Sequence, residues 1–394
     1  MTEKYESFEK IINILKNESN LLETILKQLD ENNKSLLEIA IEKEHLKIIE
    51  LILQQTFIIN PLLITHTSAK YGSSELFDLI VQYNIIQLEA DQLNNNNLIH
   101  LACYNNRFEF IKSYINYEKT LLQTNKLKKS IILNKNNKNQ TPLQIAIMKR
   151  HEKCVIELLN SDKIDLNIKE IENNYSIYHL CIKYSDNKSL QILLGKKEKK
   201  YQEPLFIKSK KNETPLHLAC QSGNLEALKI LMNKLNNDLI QSVDLFLKEK
   251  NKNGSTCFHL ACMNGHFNIV DYFLNELKIN KSLLLEIADN YLNTPLLVSA
   301  LNGHERIVEL LLDNDANLNA KNKEKSTALE ISCFKGYFEM SKLIMSRINS
   351  TIDDNLSSQN NLIHLASDSG ASEVVRLLLS KGIYYELLRY LNEK

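Results

Sequence analysis

The chain has 394 residues, no formal net charge and a hydrophobic share of 43%. Apolar material is ample for one large core or a long row of small ones, and the neutral balance argues against a protein built for nucleic acid or a membrane surface. No apolar run approaches the ~18 residues of a membrane span; the charged start Met1-Thr-Glu-Lys-Tyr-Glu6 lacks the apolar core of a secretion signal; and seven Cys without a Cys-x-x-Cys pair fit a reducing compartment, so a cytoplasmic location is expected.

Residues 1–34 hold Phe8, Ile11, Ile12 and Leu15, then Leu21, Leu22, Ile25, Leu26 and Leu29, with a break at Asn17–Asn20. The pattern predicts a helix pair, read as a degenerate first unit or N-terminal cap. From there one unit recurs, and Thr214–Met232 states it in full. Thr214 can cap a helix start, and Pro215 suits the first helical position, which needs no amide donor. Leu216, Leu218, Ala219 and Cys220 form a small apolar face, Gly223 supplies a left-handed turn, and a second helix buries Leu225, Leu228, Leu231 and Met232.

Ten such units start at Ser35, Leu63, Asn97, Thr141, Ser176, Thr214, Thr256, Thr294, Thr327 and Asn361. Five residues after each start stands a small residue: Ala40, Ala102, Ala146, Ala219, Ala261 and Ala366, or Ser68, Cys181, Ser299 and Ser332. Nine after it comes the inter-helix turn. Gly72, Gly223, Gly265, Gly303, Gly336 and Gly370 fill it in six units; Glu44, Asn106, Arg150 and Ser185 fill the rest and leave the turn geometry there open. Polar connectors separate the units. Gly254 marks a tight turn in one, and Asn139, Asn173, Asn212 and Asn293 stand near the turn in others. Two insertions, Tyr117–Asn139 and Leu235–Asn253, read as loop extensions, with a longer second helix as the alternative. Residues 383–394 hold an amphipathic stretch that would form a C-terminal capping helix.

The ten His leave no residue for a triad or a general base. His66, His100, His179, His217, His259 and His364 stand three after a unit start; His45, His151, His266 and His304 stand ten after one. Cys257-Phe-His259-Leu-Ala-Cys262 has the outline of a metal cluster, but Cys262 shares its slot with Cys103, Cys220 and Cys333 on a packed helix face. No Gly-x-Gly pair or phosphate loop is present. Neither a cofactor nor a metal is expected.

Thr-Pro-Leu-His-Leu-Ala followed by Gly223 resembles the ankyrin repeat, and most unit spacings match its ~33 residues. The resemblance covers nearly the whole chain and is strongest in repeats six to nine. It implies an all-α ankyrin-repeat solenoid of helix–turn–helix units with short hairpin fingers: ten repeats over 35–382, a cap at 1–34 and a capping helix at 383–394. First helices and fingers would line one concave face. The first His position then resembles a structural His bonding cap and backbone. The implied function is an intracellular scaffold or adaptor binding one or more proteins, not an enzyme, with no nucleic acid and no membrane span, acting as a monomer. The alternative is the targeting or regulatory arm of a larger enzyme or channel.

In the family the seventh and eighth residues after each start face the concave side. Met263, Leu301 and Phe334 fill the seventh row in three consecutive repeats, rimmed by Asn264, Asn302 and Lys335. Solvent would select polar residues there, so this strip is the expected partner-binding hot spot, with Tyr71 and Tyr104 marking the next site. Leu159 to Asn167 resembles the Leu…Asp-Leu-Asn pattern hydroxylated in some ankyrin repeats, which makes Asn167 a modification site by resemblance.

Overall fold

The structure is a computed structural model that describes residues 28–31, 34–54, 60–124, 130–161, 164, 166, 168–195, 206–238, 247–277, 280–348 and 359–380. The proposed capping helix at 383–394, most of the 1–34 cap and Asn167 lie outside these residues. The chain divides into two compact units, Met1–Tyr201 and Gln202–Lys394. Among the described residues the elements are helical, apart from one isolated antiparallel bridge between Leu29 and Ser35.

The first unit holds five helix pairs: Leu36–Glu42 with Leu46–Leu53, Pro61–Tyr71 with Ser74–Gln82, Leu98–Tyr104 with Phe108–Gln123, Pro142–Met148 with Glu152–Leu159, and Ile177–Lys183 with Asn187–Gly195. The second holds five more: Pro215–Ser222 with Leu225–Asp238, Cys257–Met263 with Phe267–Asp271, Pro295–Leu301 with Glu305–Asp313, Ala328–Lys335 with Phe338–Ile348, and Gln359–Asp368 with Ser372–Ser380. A π-helical turn, Tyr272–Glu276, prolongs Phe267–Asp271. Within each unit, first helices stack on first helices and second on second.

The small residue of each repeat makes this stacking possible. Ala102, Ala146, Ala219, Ala261 and Ala366 are fully buried, as are Ser68, Cys181, Ser299 and Ser332. A larger side chain there would force the helices apart, at a cost of about 1–3 kcal/mol. Aromatic wedges fill the layer behind. Phe77 meets Phe110 edge-on at 5.0 Å in the first unit, and Phe258 meets Phe273 at 5.6 Å in the second.

The turns follow the sequence with one exchange. Gly223, Gly265, Gly303, Gly336 and Gly370 all take positive φ, and so do Glu44, Asn106, Arg150 and Ser185, where the residue type left the geometry open. Gly72 does not: its φ is −86°. Its helix is capped three residues ahead of Leu63, by Asn60, and runs eleven residues to Tyr71. Ser73, in extended backbone, then takes the N-cap position of the next helix directly, so no left-handed residue is needed.

The insertion Tyr117–Asn139, expected as a loop extension, departs from a plain loop. The second helix continues for sixteen residues, and Ile131 and Ile132 return into the core. Glu118, 2% exposed, holds that return: its carboxylate accepts from Tyr114 Oη, Ser130 Oγ and the Ile131 amide. Three donors offset the cost of burying the acid.

Candidate functional site

Seven of the first helices begin on a two-sided cap. Thr256 Oγ1 accepts the His259 amide at 3.4 Å, while the Thr256 amide donates to His259 Nδ1 at 3.3 Å. The other ring nitrogen, Nε2, lies 3.1 Å from the Asn293 carbonyl. A carbonyl only accepts, so Nε2 carries the proton and Nδ1 is the acceptor. His217 repeats the pattern with Thr214 and the Glu249 carbonyl at 3.1 Å, and His100 reaches the Gln140 carbonyl at 2.9 Å. Burial lowers the pKa of His217 and His259 to about 4, which keeps both neutral. Gln144 and Glu330 fill the same slot in other repeats. The first His row is thus a joint between a cap and the connector that leads to the next repeat.

The second His row does more than start the outer helix. His266 Nε2 donates back to the Gln221 carbonyl at 3.0 Å, and His304 Nε2 to the Met263 carbonyl at 2.9 Å. Both rings lie against the preceding repeat's turn glycine. A Cβ on Gly223 would come within 2.7 Å of His266, and one on Gly265 within 2.7 Å of His304.

The connectors are hairpin fingers joined by backbone bonds. The Lys252 amide donates to the Lys211 carbonyl at 2.9 Å, Asn290 to Asn253 at 3.0 Å, and Lys323 to Tyr291 at 2.9 Å. The left-handed residue stands two before the cap in each: Asn95, Asn139, Asn174, Asn212, Gly254, Leu292 and Lys325. Asn173 and Asn293 therefore lie one residue off the turn. A second signal was legible but unused. An Asn, Asp or Ser five before the cap folds its side chain onto two finger amides, as Asn251 does with Asn253 and Ser255, Asp289 with Tyr291 and Asn293, and Ser209 with Lys211 and Glu213.

The rows beyond the small residue carry the site residues named from sequence. In the second unit Phe334 is 46% exposed and Lys335 is exposed, while Met263 and Leu301 are half-buried. Asn264 and Asn302 are exposed, yet each donates to its own helix, to the Leu260 and Val298 carbonyls at 2.8 Å. In the first unit Tyr104 is 54% exposed with Lys149 Nζ 4.0 Å from its ring centre, and Tyr71 lies under Lys70 at 4.7 Å. These lysine contacts were not anticipated, although the alternation of Lys and Tyr is visible in the rows.

All seven Cys are buried and free, and burial raises the Cys262 thiol to about 12. Among the described residues no three His, Cys, Asp or Glu side chains converge as metal ligands, and no helix is long and apolar enough to cross a membrane.

XBAT33, an E3 ubiquitin-protein ligase of Arabidopsis thaliana, is 37% identical over 26% of this chain and 20% of its own length. The NAD-dependent deacetylase sir2B of Dictyostelium discoideum is 22% identical over 59% of this chain and 29% of its own. The NF-kappa-B p105 subunit of Gallus gallus is 26% identical over 42% and 17%. The chain thus spans less than a third of the length of these relatives. Among solved structures, the ankyrin repeat protein EF0377 aligns over 52% of this chain and 96% of its own, at 20% identity and a TM-score of 0.42. A family model for ankyrin repeats in three copies matches residues 65–170, 116–204, 178–282 and 234–322, together well over half of the chain. Ankyrin repeats as a class are protein-interaction modules, and this chain belongs to the ankyrin-repeat family.

Proposed function

We propose that the chain is an intracellular scaffold or adaptor, acting as a monomer, that holds partner proteins on the outward rows of its first helices. The observation that carries this reading is Phe334, an aromatic side chain left 46% exposed in the row shared by Met263 and Leu301, beside exposed Lys335. A large apolar group with a charged neighbour and no place in the core is what an interface anchor requires. Asn264 and Asn302, tied to their own helices, form a fixed amide rim around it. Binding here needs no cofactor and no catalytic group.

Affinity capture from native cells with Phe334→Ala, Lys335→Ala and the intact chain tests the reading. The double variant should lose at least about tenfold in affinity, ~1.4 kcal/mol, while its melting curve stays close to the parent's. Unchanged capture of every partner by the folded variant would remove the Phe334 strip from the interface.

A second reading is favoured by the relatives. They carry these repeats within longer proteins, among them a ubiquitin ligase and a deacetylase. On this reading the repeats are the targeting arm of a larger protein. Peptide mapping of the native product beyond Lys394 would establish it, and a product ending at Lys394 would defeat it.

A further inference from the structure

The outward rows of the two units differ in chemistry. In the four repeats from Leu63 to Ser185, the seventh to ninth positions hold four cations, Lys70, Lys149, Arg150 and Lys183, and three tyrosines, Tyr71, Tyr104 and Tyr184, with no Asp or Glu. The same positions in the five repeats of the second unit hold one cation, Lys335, one acid, Asp368, and no tyrosine. All four cations are exposed, and no carboxylate among the described residues lies within salt-bridge distance of them, although Glu42 is near enough to feel the charge of Lys70. The acids at the near end are Glu42 and Glu44; Glu42 is bonded to Lys34. In the flanking fingers the Asp91 and Glu170 carboxylates accept amides of their own loops.

The lysines are held in place. Lys149 Nζ lies 4.0 Å from the Tyr104 ring centre, Lys70 4.7 Å from Tyr71, and Lys183 5.6 Å from Tyr184. A cation over an aromatic face is attracted by the ring quadrupole, and its long stem is ordered before any ligand arrives.

We infer that this Lys–Tyr stripe binds an extended acidic segment of a partner protein. The inference rests on the reading of these rows as the partner-facing surface. It adds the chemistry of the partner and places a second contact in the first unit. Stacked helices lie roughly 8–10 Å apart and an extended chain advances ~3.3 Å per residue, so a new repeat is met about every third residue. The fitting sequence therefore carries Glu or Asp at about every third position, with Lys70, Lys149, Arg150 and Lys183 as its cationic partners and the Tyr hydroxyls as further donors.

The test uses the whole 394-residue chain and fluorescence anisotropy. The probe is a labelled peptide of about 15 residues with Glu at every third position. Comparators are the same peptide with Gln for Glu, a single-stranded oligothymidine of equal charge, and phosphatidylserine vesicles. The Glu peptide should bind, weaken as salt rises, and outcompete the oligonucleotide and the vesicles; the Gln peptide should not bind. Lys149→Glu with Lys183→Glu should weaken the Glu peptide about tenfold or more, while Lys252→Glu with Lys321→Glu, an equal charge change in the second unit, should leave it nearly unchanged. Tyr104→Leu keeps every charge and removes the ring under Lys149; it should cost a few-fold. The inference fails if the Glu peptide does not bind, if both charge reversals weaken it equally, or if oligothymidine or vesicles bind more tightly. Failure here with Phe334-dependent capture intact would defeat this inference alone. A Lys149/Lys183 effect without any Phe334 effect would defeat only the placement on the second unit.

Discussion

The two units solve the same turn with different residues. In the second unit every inter-helix turn places a glycine at positive φ; in the first, the left-handed turns fall to Glu44, Asn106, Arg150 and Ser185. An L-residue in that conformation costs roughly 1–2 kcal/mol unless its side chain compensates. The glycines do more than relieve strain, because they leave room for the next repeat's ring. With Gly265 bare, His304 lies over the turn and its Nε2 reaches the Met263 carbonyl at 2.9 Å. Where Asn106 supplies a Cβ, His151 bonds through Nδ1 instead, to the carbonyl of Cys103, one position earlier in its repeat. A missing side chain in one repeat thus sets the geometry of the joint with the next.

Acid should separate the His-capped repeats, His100 in the first unit among them, from those capped by Gln or Glu by the widest margin. A free imidazole titrates near 6.5, while His217 and His259 are held to about 4 by burial. The unfolded chain takes up protons as pH falls through 6.5, and the folded rings do not until about pH 4. Their stabilisation is therefore complete above pH 6.5 and lost as pH falls toward 4. Between pH 7.5 and 5 the loss is about 2 kcal/mol per ring, about 4 kcal/mol for the pair. Hydrogen exchange followed by mass spectrometry should show protection falling around these caps, in helices Pro215–Ser222 and Cys257–Met263, well before Pro142–Met148, whose cap uses Gln144. Equal loss in all three would contradict the assignment.

Removing one joint is the next largest change. His259→Ala deletes the Thr256 and Asn293 bonds from a fully buried site and should cost about 3 kcal/mol in urea unfolding. His259→Gln should cost about 1 kcal/mol, since Gln144 accepts the Thr141 amide at 2.9 Å in the same slot. Gly265→Val forces a β-branched residue to φ 75° and drives its Cβ against His304; circular dichroism melts should report a loss of about 2 kcal/mol. A melt like the parent's would show that the turn can rearrange. The smallest effect has the opposite sign. Ser185→Gly relieves a φ of 54° in the first unit and should stabilise by about 0.5 kcal/mol, after the added flexibility of the unfolded chain is subtracted.

Periodicity made the helix pairs and their small-residue slots readable, because close helix packing accepts few side chains at that position. It also located the cap histidines, whose Thr-x-x-His spacing is itself the bonding geometry. What escaped it depends on neighbours far along the chain. Asn60 replaced Leu63 as a helix start because an Asn followed by Pro outcompetes an apolar register. Asn173 lies one residue before the left-handed Asn174 and Asn293 one after the left-handed Leu292, since Asn marks a turn without stating which of its residues goes left-handed. Leu292, at φ 61°, carries no compositional signal at all. For the rows themselves, sequence supplied residue types. Only the structure separates exposed Phe334 from half-buried Met263 and Leu301, and sets Lys149 over Tyr104.

The paired histidines bear on how such a chain lengthens in evolution. The repeat that begins at Thr256 donates forward through His259 to the following connector, and backward through His266 to the preceding repeat. Its own Met263 carbonyl receives the bond of His304. A tandem duplication of this segment would arrive with both halves of each coupling already encoded, one donor facing each way and a carbonyl to receive. The copy could be inserted between existing neighbours without new mutations to seat it. Loss of a single segment would rejoin the flanks by the same contacts. The number of repeats can then drift by whole steps, while the side chains of the outward rows, which enter the coupling only through their backbone carbonyls, are free to diverge toward separate partners.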